Sequence, residues 1–275
     1  MVKHSFIIFL TALLLCLMFL TGCNVDLFGL FGSSDLDNRL KERNSFKFLA
    51  EGERNLSLGV EYSFIVLTDT HIEDGNAWGL EKLKDVIEAD SNIKFAVITG
   101  DITQYGTAQD VQKFIDIARS LNVPCYPVIG NHDIYFGNWP NWKDRIGSTS
   151  YRINADAATL FILDSANAYF GRDQLDWLER EMRTAAGRVF VFSHANIFVE
   201  SLVDIQQFTD TKERARLVSI LRNRAGFMFM GHVHRQTLNE AGNVQYISIE
   251  DYRDKRVYCV VSVRQNGIDL QYKKL

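Results

Sequence analysis

Three short runs that are apolar on both sides of the chain recur about thirty residues apart. They are Phe64-Ile65-Val66-Leu67, Phe95-Ala96-Val97-Ile98 and Cys125-Tyr126-Pro127-Val128-Ile129. No other feature limits the fold as much, because a strand apolar on both faces has to be covered on both. Helical stripes lie between them: Leu80, Leu83 and Ile87, then Val111, Phe114, Ile115, Ala118 and Leu121. Strand-helix-strand alternation at this interval predicts βαβ units and a parallel sheet. The second half adds strand-like runs at 160–163, 189–192 and 227–230, and helices over 174–185 and 211–222. It closes with strand-like runs at 244–249, 257–263 and 268–272 that read as antiparallel. The expectation is one α/β domain of two packed sheets with helices on their outer faces.

The first residues belong to a different problem. Lys3 precedes an almost unbroken apolar run over residues 6–20, which is short for a membrane span but suits a secretory leader. The run ends in Leu20-Thr21-Gly22-Cys23, which resembles a bacterial lipobox. Residues 1–22 are therefore expected to be a cleaved lipoprotein signal peptide. Cys23 would carry the lipid and hold the protein on the extracytoplasmic face of a bacterial membrane. Residues 23–58, rich in Gly, Ser, Asn and charge without sustained period, read as a lipid-anchored tether with one short helix near 35–48. The domain is expected over 59–275.

Beyond the leader, 29 Lys and Arg stand against 34 Asp and Glu, a formal −5, and no basic run stands out. Nucleic acid is an unpromising partner for such a surface. Cys125 and Cys259 sit inside apolar runs and read as small buried hydrophobes rather than a disulfide. The oligomeric state is not legible.

Five histidines follow the leader, and each falls at the C-terminal end of an expected strand. The motifs, in order, are Asp69-Thr70-His71, Gly100-Asp101, Gly130-Asn131-His132-Asp133, Ser193-His194 and Gly231-His232-Val233-His234. Loops leaving strand C-termini form the ligand crevice of an α/β sheet, so these groups should converge. Imidazole and carboxylate without thiolate suit Zn, Mn or Fe, and so many donors can hold two ions. Residues two apart, as in Asp69-x-His71 and His232-x-His234, would leave an extended strand end on the same side.

In this order the motifs resemble the calcineurin-like metallophosphoesterase superfamily, from about residue 63 to His234. Gly100-Asp101-Ile102-Thr103-Gln104-Tyr105-Gly106 and Gly171-Arg172-Asp173-Gln174-Leu175-Asp176-Trp177-Leu178 are similar to the branch of class III cyclic-nucleotide phosphodiesterases and purple-acid-phosphatase-like enzymes. The resemblance implies a four-layer α/β/β/α sandwich with two mixed sheets and a dinuclear site at the strand C-termini. One ion would take Asp69, His71, Asp101 and His234; the other would take Asp101, Asn131, His194 and His232. Asp101 and a hydroxide would bridge them. His132 would act on the phosphoryl oxygens or the leaving alkoxide. Asp133 would orient His132, or alternatively cap a turn. The chain departs from purple acid phosphatases at Gln104, where those have a tyrosine ligand, and has Asn196 where many relatives have proline.

The implied activity is metal-dependent hydrolysis of phosphate mono- or diesters outside the cytoplasm, on a small-molecule substrate. Alternatives are an envelope-lipid pyrophosphatase, a nuclease, or a metal-bearing binding lipoprotein with vestigial activity. The stretch Tyr135-Phe136-Gly137-Asn138-Trp139-Pro140-Asn141-Trp142 reads either as an aromatic minicore or as a stacking platform beside the ions. Arg145, Arg152, Arg172 and Arg253 are candidates to bind phosphate.

Overall fold

A computed structural model describes residues 35–198, 208 and 210–275. The leader, Cys23 and residues 23–34 lie outside the described residues. The strands are β1 (Asn55–Leu56), β2 (Tyr62–Leu67), β3 (Ile93–Thr99), β4 (Cys125–Val128), β5 (Tyr151–Ala155) and β6 (Ala158–Ile162). They continue with β7 (Arg188–Phe192), β8 (Phe227–Met230), β9 (Thr237–Ala241), β10 (Val244–Ser248), β11 (Val257–Arg264) and β12 (Gly267–Lys274). The α-helices are α1 (Leu36–Leu40), α2 (Leu83–Glu88), α3 (Ala108–Ser120), α4 (Trp139–Arg145), α5 (Arg172–Met182), α6 (Thr211–Leu221) and α7 (Tyr252–Lys255).

The strands form two mixed sheets, one ordered β12-β11-β2-β3-β4 and the other β1-β5-β6-β7-β8-β10-β9. The three runs that are apolar on both faces become β2, β3 and β4, paired in parallel as their spacing requires. Alternation along the strands explains the layers. In β7, Val189 and Val191 join the cluster built with α5 and α6, while Phe190 and Phe192 face the other sheet. The Phe64 ring of β2 meets Phe190, Phe192 and Phe229 edge-on, with centroids 5.0, 6.2 and 6.2 Å away. These contacts close the sheet-on-sheet core. Leu83 and Ile87 of α2 and Val111, Phe114, Ile115 and Ala118 of α3 bury on the five-stranded sheet. The result is an α/β/β/α sandwich.

Two expectations need correction. The closing strands are not all antiparallel: β10 runs antiparallel to β9 but parallel to β8. The Thr237–Ala241 strand has no run of β-branched or aromatic residues to announce it, and it reverses the chain before β10 begins. Nor do residues 35–58 stand off as a tether. Leu36 and Arg39 of α1 are fully buried, Phe46 bridges Gly147, Phe48 packs on Phe114, and β1 pairs with β5. Single anchors hold this segment, so it shows no amphipathic period. The Arg39 guanidinium donates to both carboxylate oxygens of Asp164, at 2.7 and 2.8 Å, and to Asn167 Oδ1 at 2.7 Å.

Cys125 and Cys259 are both buried and free, and burial pushes each thiol up to about 12. Among the described residues, no helix is long and apolar enough to cross a membrane.

Candidate metal centre

The C-terminal ends of β2, β3, β4, β7 and β8 meet at one edge of the sandwich. The loops leaving β2 and β3 continue to pair after the strands end: Asp69 N–H donates to Gly100 O (3.0 Å) and His71 N–H to Asp101 O (2.9 Å). Each carboxylate is then divided in its duties. Asp69 Oδ2 accepts from Thr68 Oγ1 (2.6 Å) and His232 N–H (3.0 Å). That leaves Oδ1 facing His234 Nε2 at 3.2 Å and His71 Nε2 at 3.8 Å. Asp101 Oδ1 accepts from His132 N–H (2.9 Å), leaving Oδ2 3.2 Å from His194 Nε2 and 3.9 Å from both His71 and His132 Nε2.

The donors form overlapping groups, with Asp101 shared between one that holds His71 and His132 and one that holds His194 and His232. Asp69, His71 and His234 gather on one side. On the other, His194 Nε2 lies 3.0 Å from Asn131 Oδ1 and 3.2 Å from His232 Nδ1. Second partners fix the ring orientations. His194 Nδ1 meets Thr99 O at 3.0 Å and His132 Nδ1 meets Gln104 O at 2.9 Å, so both rings present Nε2 to the cluster. Asn131 Nδ2 donates to Tyr135 Oη (2.7 Å), which directs its carbonyl oxygen inward. The cluster is also close-packed. A Cβ on Gly130 would overlap the backbone nitrogen and Oδ1 of Asp101, and one on Gly100 would overlap the His194 ring.

Asp69, His71, Asp101, His232 and His234 all adopt the left-handed backbone region, with φ between 42° and 72°. The side chains of Asp69-x-His71 therefore do not share a side through strand alternation, as extended backbone would have it. A left-handed turn at each residue aims it. Such backbone is uncommon outside glycine and asparagine and clusters where function requires it.

The donor set fits metal ions. Asp69 Oδ1 and both ring nitrogens of His71 are buried without a hydrogen-bond partner. Burial, only partly opposed by Asp101 and Asp69, pulls His71 down to about 4, and burial together with the His194 charge does the same to His232. At His194 and His234 burial is outweighed by Asp101 and Asp69 respectively, and both rise to about 9. Despite burial, the histidine charges hold the Asp69 and Asp101 carboxyls well below the usual range. His71, His232 and the two carboxylates are thus held in the forms that coordinate metals, and ions bound at His194 and His234 would displace their protons.

Asp69, His71, Asp101, Asn131, His132, His194, His232 and His234 thus converge as the sequence predicts. Asp133 does not face His132. It is fully buried and accepts from Gly130 N–H (2.9 Å), Ile102 N–H (3.2 Å), Thr103 N–H (2.8 Å) and Thr103 Oγ1 (2.9 Å). It clasps two site loops together. Burial and then the Asp101 charge push it up to about 7, against the pull of those donors. The aromatic stretch divides. Trp139 and Trp142 are core residues, Tyr135 lies on His132 with centroids 4.5 Å apart, and Phe136 is 54% exposed beside Tyr105.

Of the four arginine candidates, Arg253 reaches the site's edge. Its guanidinium donates to Gln104 Oε1 (2.9 Å) and Glu73 (3.1 Å) and lies over the Trp78 ring, while its N–H donates to Asp69 O. Arg152 is tied to Glu181 and Thr184, Arg172 is exposed on α5, and Arg145 ends α4. The sequence reading missed Gln104, Tyr135 and Trp78 as supports. Trp78 donates its Nε1–H to His71 O at 2.9 Å. Two of the three act through or upon backbone carbonyls, which no motif records.

Comparison with known proteins agrees with this geometry. A probable cyclic nucleotide phosphodiesterase of Fibrobacter succinogenes is 24% identical over 170 residues, covering 58% of this chain and 62% of that protein. The chain therefore matches under two thirds of that relative's length. A probable glycerophosphodiester phosphodiesterase of Arcobacter nitrofigilis is 27% identical over 199 residues, covering 62% and 71%. Among solved structures, a dimetal phosphatase from Danio rerio superposes with a TM-score of 0.61 at 14% identity, covering 78% of this chain and 96% of that one. The calcineurin-like phosphoesterase family matches residues 62–236, a span that contains every candidate ligand, and the chain belongs to that family.

Proposed function

We propose that the chain hydrolyses small phosphodiesters, and monoesters more slowly, with two metal ions that share Asp101. The observation that carries this reading is the Asp101 Oδ2 position, within 3.9 Å of His71 and 3.2 Å of His194, where one oxygen serves both donor groups. Asp69, His71 and His234 would complete one site, and Asn131, His194 and His232 the other. Ions bound there would supply Lewis acidity to the phosphoryl group and acidify water. His132 Nε2, 3.9 Å from Asp101 and backed by Gln104 O, is placed to donate to a phosphoryl oxygen or to the leaving alkoxide. The names of the Fibrobacter and Arcobacter relatives support a diester preference.

Hydrolysis of bis-p-nitrophenyl phosphate and p-nitrophenyl phosphate with Mn, Zn and Fe in turn, beside Asp101→Asn, tests the reading. Metal-dependent turnover that collapses in the variant supports it, and the ratio of the two rates sets the preference. Full activity in Asp101→Asn would remove it.

The lipid anchor is part of the same proposal. Residues 24–34 allow a reach of roughly 40 Å from Cys23 to the start of α1, so the site would work close to a membrane surface, on substrates outside the cytoplasm. Cys23→Ser should move the protein from the membrane to the soluble fraction. Unchanged fractionation would exclude the anchor.

A further inference from the structure

Three arginines from separate stretches of chain line one cavity of about 300 Å³ on the outer side of β5, beside α5 and the docked N-terminal segment. No residue of the metal centre lines it. Arg152 is fixed there by Glu181 and by Thr184 Oγ1, at 3.1 and 2.7 Å. Arg43 and Arg54 are held differently. Their guanidinium carbons lie 4.8 Å over the Trp177 ring and 4.5 Å over the Phe46 ring, and neither guanidinium makes an ion pair or hydrogen bond with another described residue. The Nε atoms of all three are buried without a partner. Burial and the neighbouring Arg180 lower Arg43, while Asp173 and Glu181 oppose them.

A guanidinium stacked on a ring has spent its side-chain freedom already and keeps a planar edge of N–H donors for a ligand. Three arginines face one acid, Glu181, among the lining residues, so the lining keeps a net positive charge. A planar carboxylate offers two oxygens to one fork. The open edges of Arg43 and Arg54, beside the Arg152 charge, suit a tetrahedral dianion, whose several oxygens can meet both forks. We propose that this cavity is a second ligand site, distinct from the metal centre, that binds a phosphomonoester dianion, either free in solution or as a lipid headgroup.

Calorimetric titration of the chelator-treated full chain with glycerol 3-phosphate tests this, using wild type, Arg54→Gln, Arg43→Gln and Asp101→Asn. The proposal expects saturable binding that each arginine variant weakens about tenfold or more and Asp101→Asn leaves within about twofold. Arg54→Lys, which keeps the charge over Phe46, should fall between, and matching melting curves show that the variants are folded. Dihexanoyl phosphatidic acid forms the second arm. Tighter binding than glycerol 3-phosphate assigns the site to a lipid headgroup, and equal or weaker binding assigns it to a soluble phosphomonoester. Absence of binding in the wild type, or binding that only Asp101→Asn removes, overturns the proposal.

Discussion

Replacing Arg39 with alanine strands the Asp164 carboxylate in a place no water reaches. Both side chains are wholly shielded, and the pair is bidentate, with a third bond from the guanidinium to Asn167. Removing one member of a buried pair leaves an uncompensated charge and costs about 3–5 kcal/mol. Against a whole-domain stability of about 5–15 kcal/mol, that is about a fifth of the total or more. For a domain of this size it lowers the melting temperature by about 10 °C. The damage should reach the site. Ser165 follows Asp164, and its Oγ accepts from His194 N–H (3.1 Å) and Ala195 N–H (2.9 Å), so a displaced Asp164 loosens the loop that positions His194. Urea unfolding followed by fluorescence and circular dichroism gives the cost. The double variant Arg39→Met/Asp164→Leu, which removes both charges and keeps the volume, should recover most of it. An Arg39→Ala protein within about 1 kcal/mol of wild type at unchanged m-value would refute the reasoning. A double variant no better than the single one would show that shape, not charge, sets the cost.

Other perturbations act on the metal centre directly. Gly130→Ala drives a methyl group into Asp101 and should lower kcat/KM by about 10²-fold or more, with reduced metal content by elemental analysis; normal metal content and rate would sink the close-packing argument. Asp133→Asn sets an amide N–H₂ among donors and should cost about 2–3 kcal/mol in urea unfolding. A cost under about 0.5 kcal/mol would show that Asp133 does not hold the two loops together. In chelator-treated protein, His194 and His234 keep their protons up to about 9 against about 6.5 when unfolded, so their stabilisation is complete below pH 6.5 and is lost as pH rises through 9. His71 and His232, held at about 4, act oppositely and withdraw stability as pH falls from 6.5 to 4. The urea midpoint should therefore peak near pH 6.5, and a flat profile from pH 4 to 9 contradicts these shifts. Phe136→Ala should raise KM for nitrophenyl esters but not for an alkyl diester if the exposed ring stacks on leaving groups, whereas equal changes leave it a surface residue.

The central part of this architecture was legible because its physics is periodic. β2, β3 and β4 announced themselves by being apolar on both faces, and the helices between them by their stripes. The ligands were legible because few loops place Asn-His or His-x-His directly after a buried strand. What escaped has no period. β9 carries the sequence Thr-Leu-Asn-Glu-Ala, and β1 is two residues long. The docked segment depends on Arg39 finding Asp164 across 125 positions, which is invisible without the fold. Around the site, His132 takes its orientation from Gln104 O and His194 from Thr99 O, and a main-chain oxygen has no residue identity to read. Asp133 looked catalytic by proximity in sequence, but a buried carboxylate follows the densest group of donors, and those belong to Thr103, Ile102 and Gly130.

The left-handed conformation of five metal-centre residues sets fold and chemistry against each other. Each such residue carries about 1–3 kcal/mol of strain, so together they hold a sum comparable to the net stability of the domain. Glycine at any one of them relaxes the backbone and removes a candidate ligand in the same step. At these five positions the fold therefore gives up stability to aim a donor into the cluster.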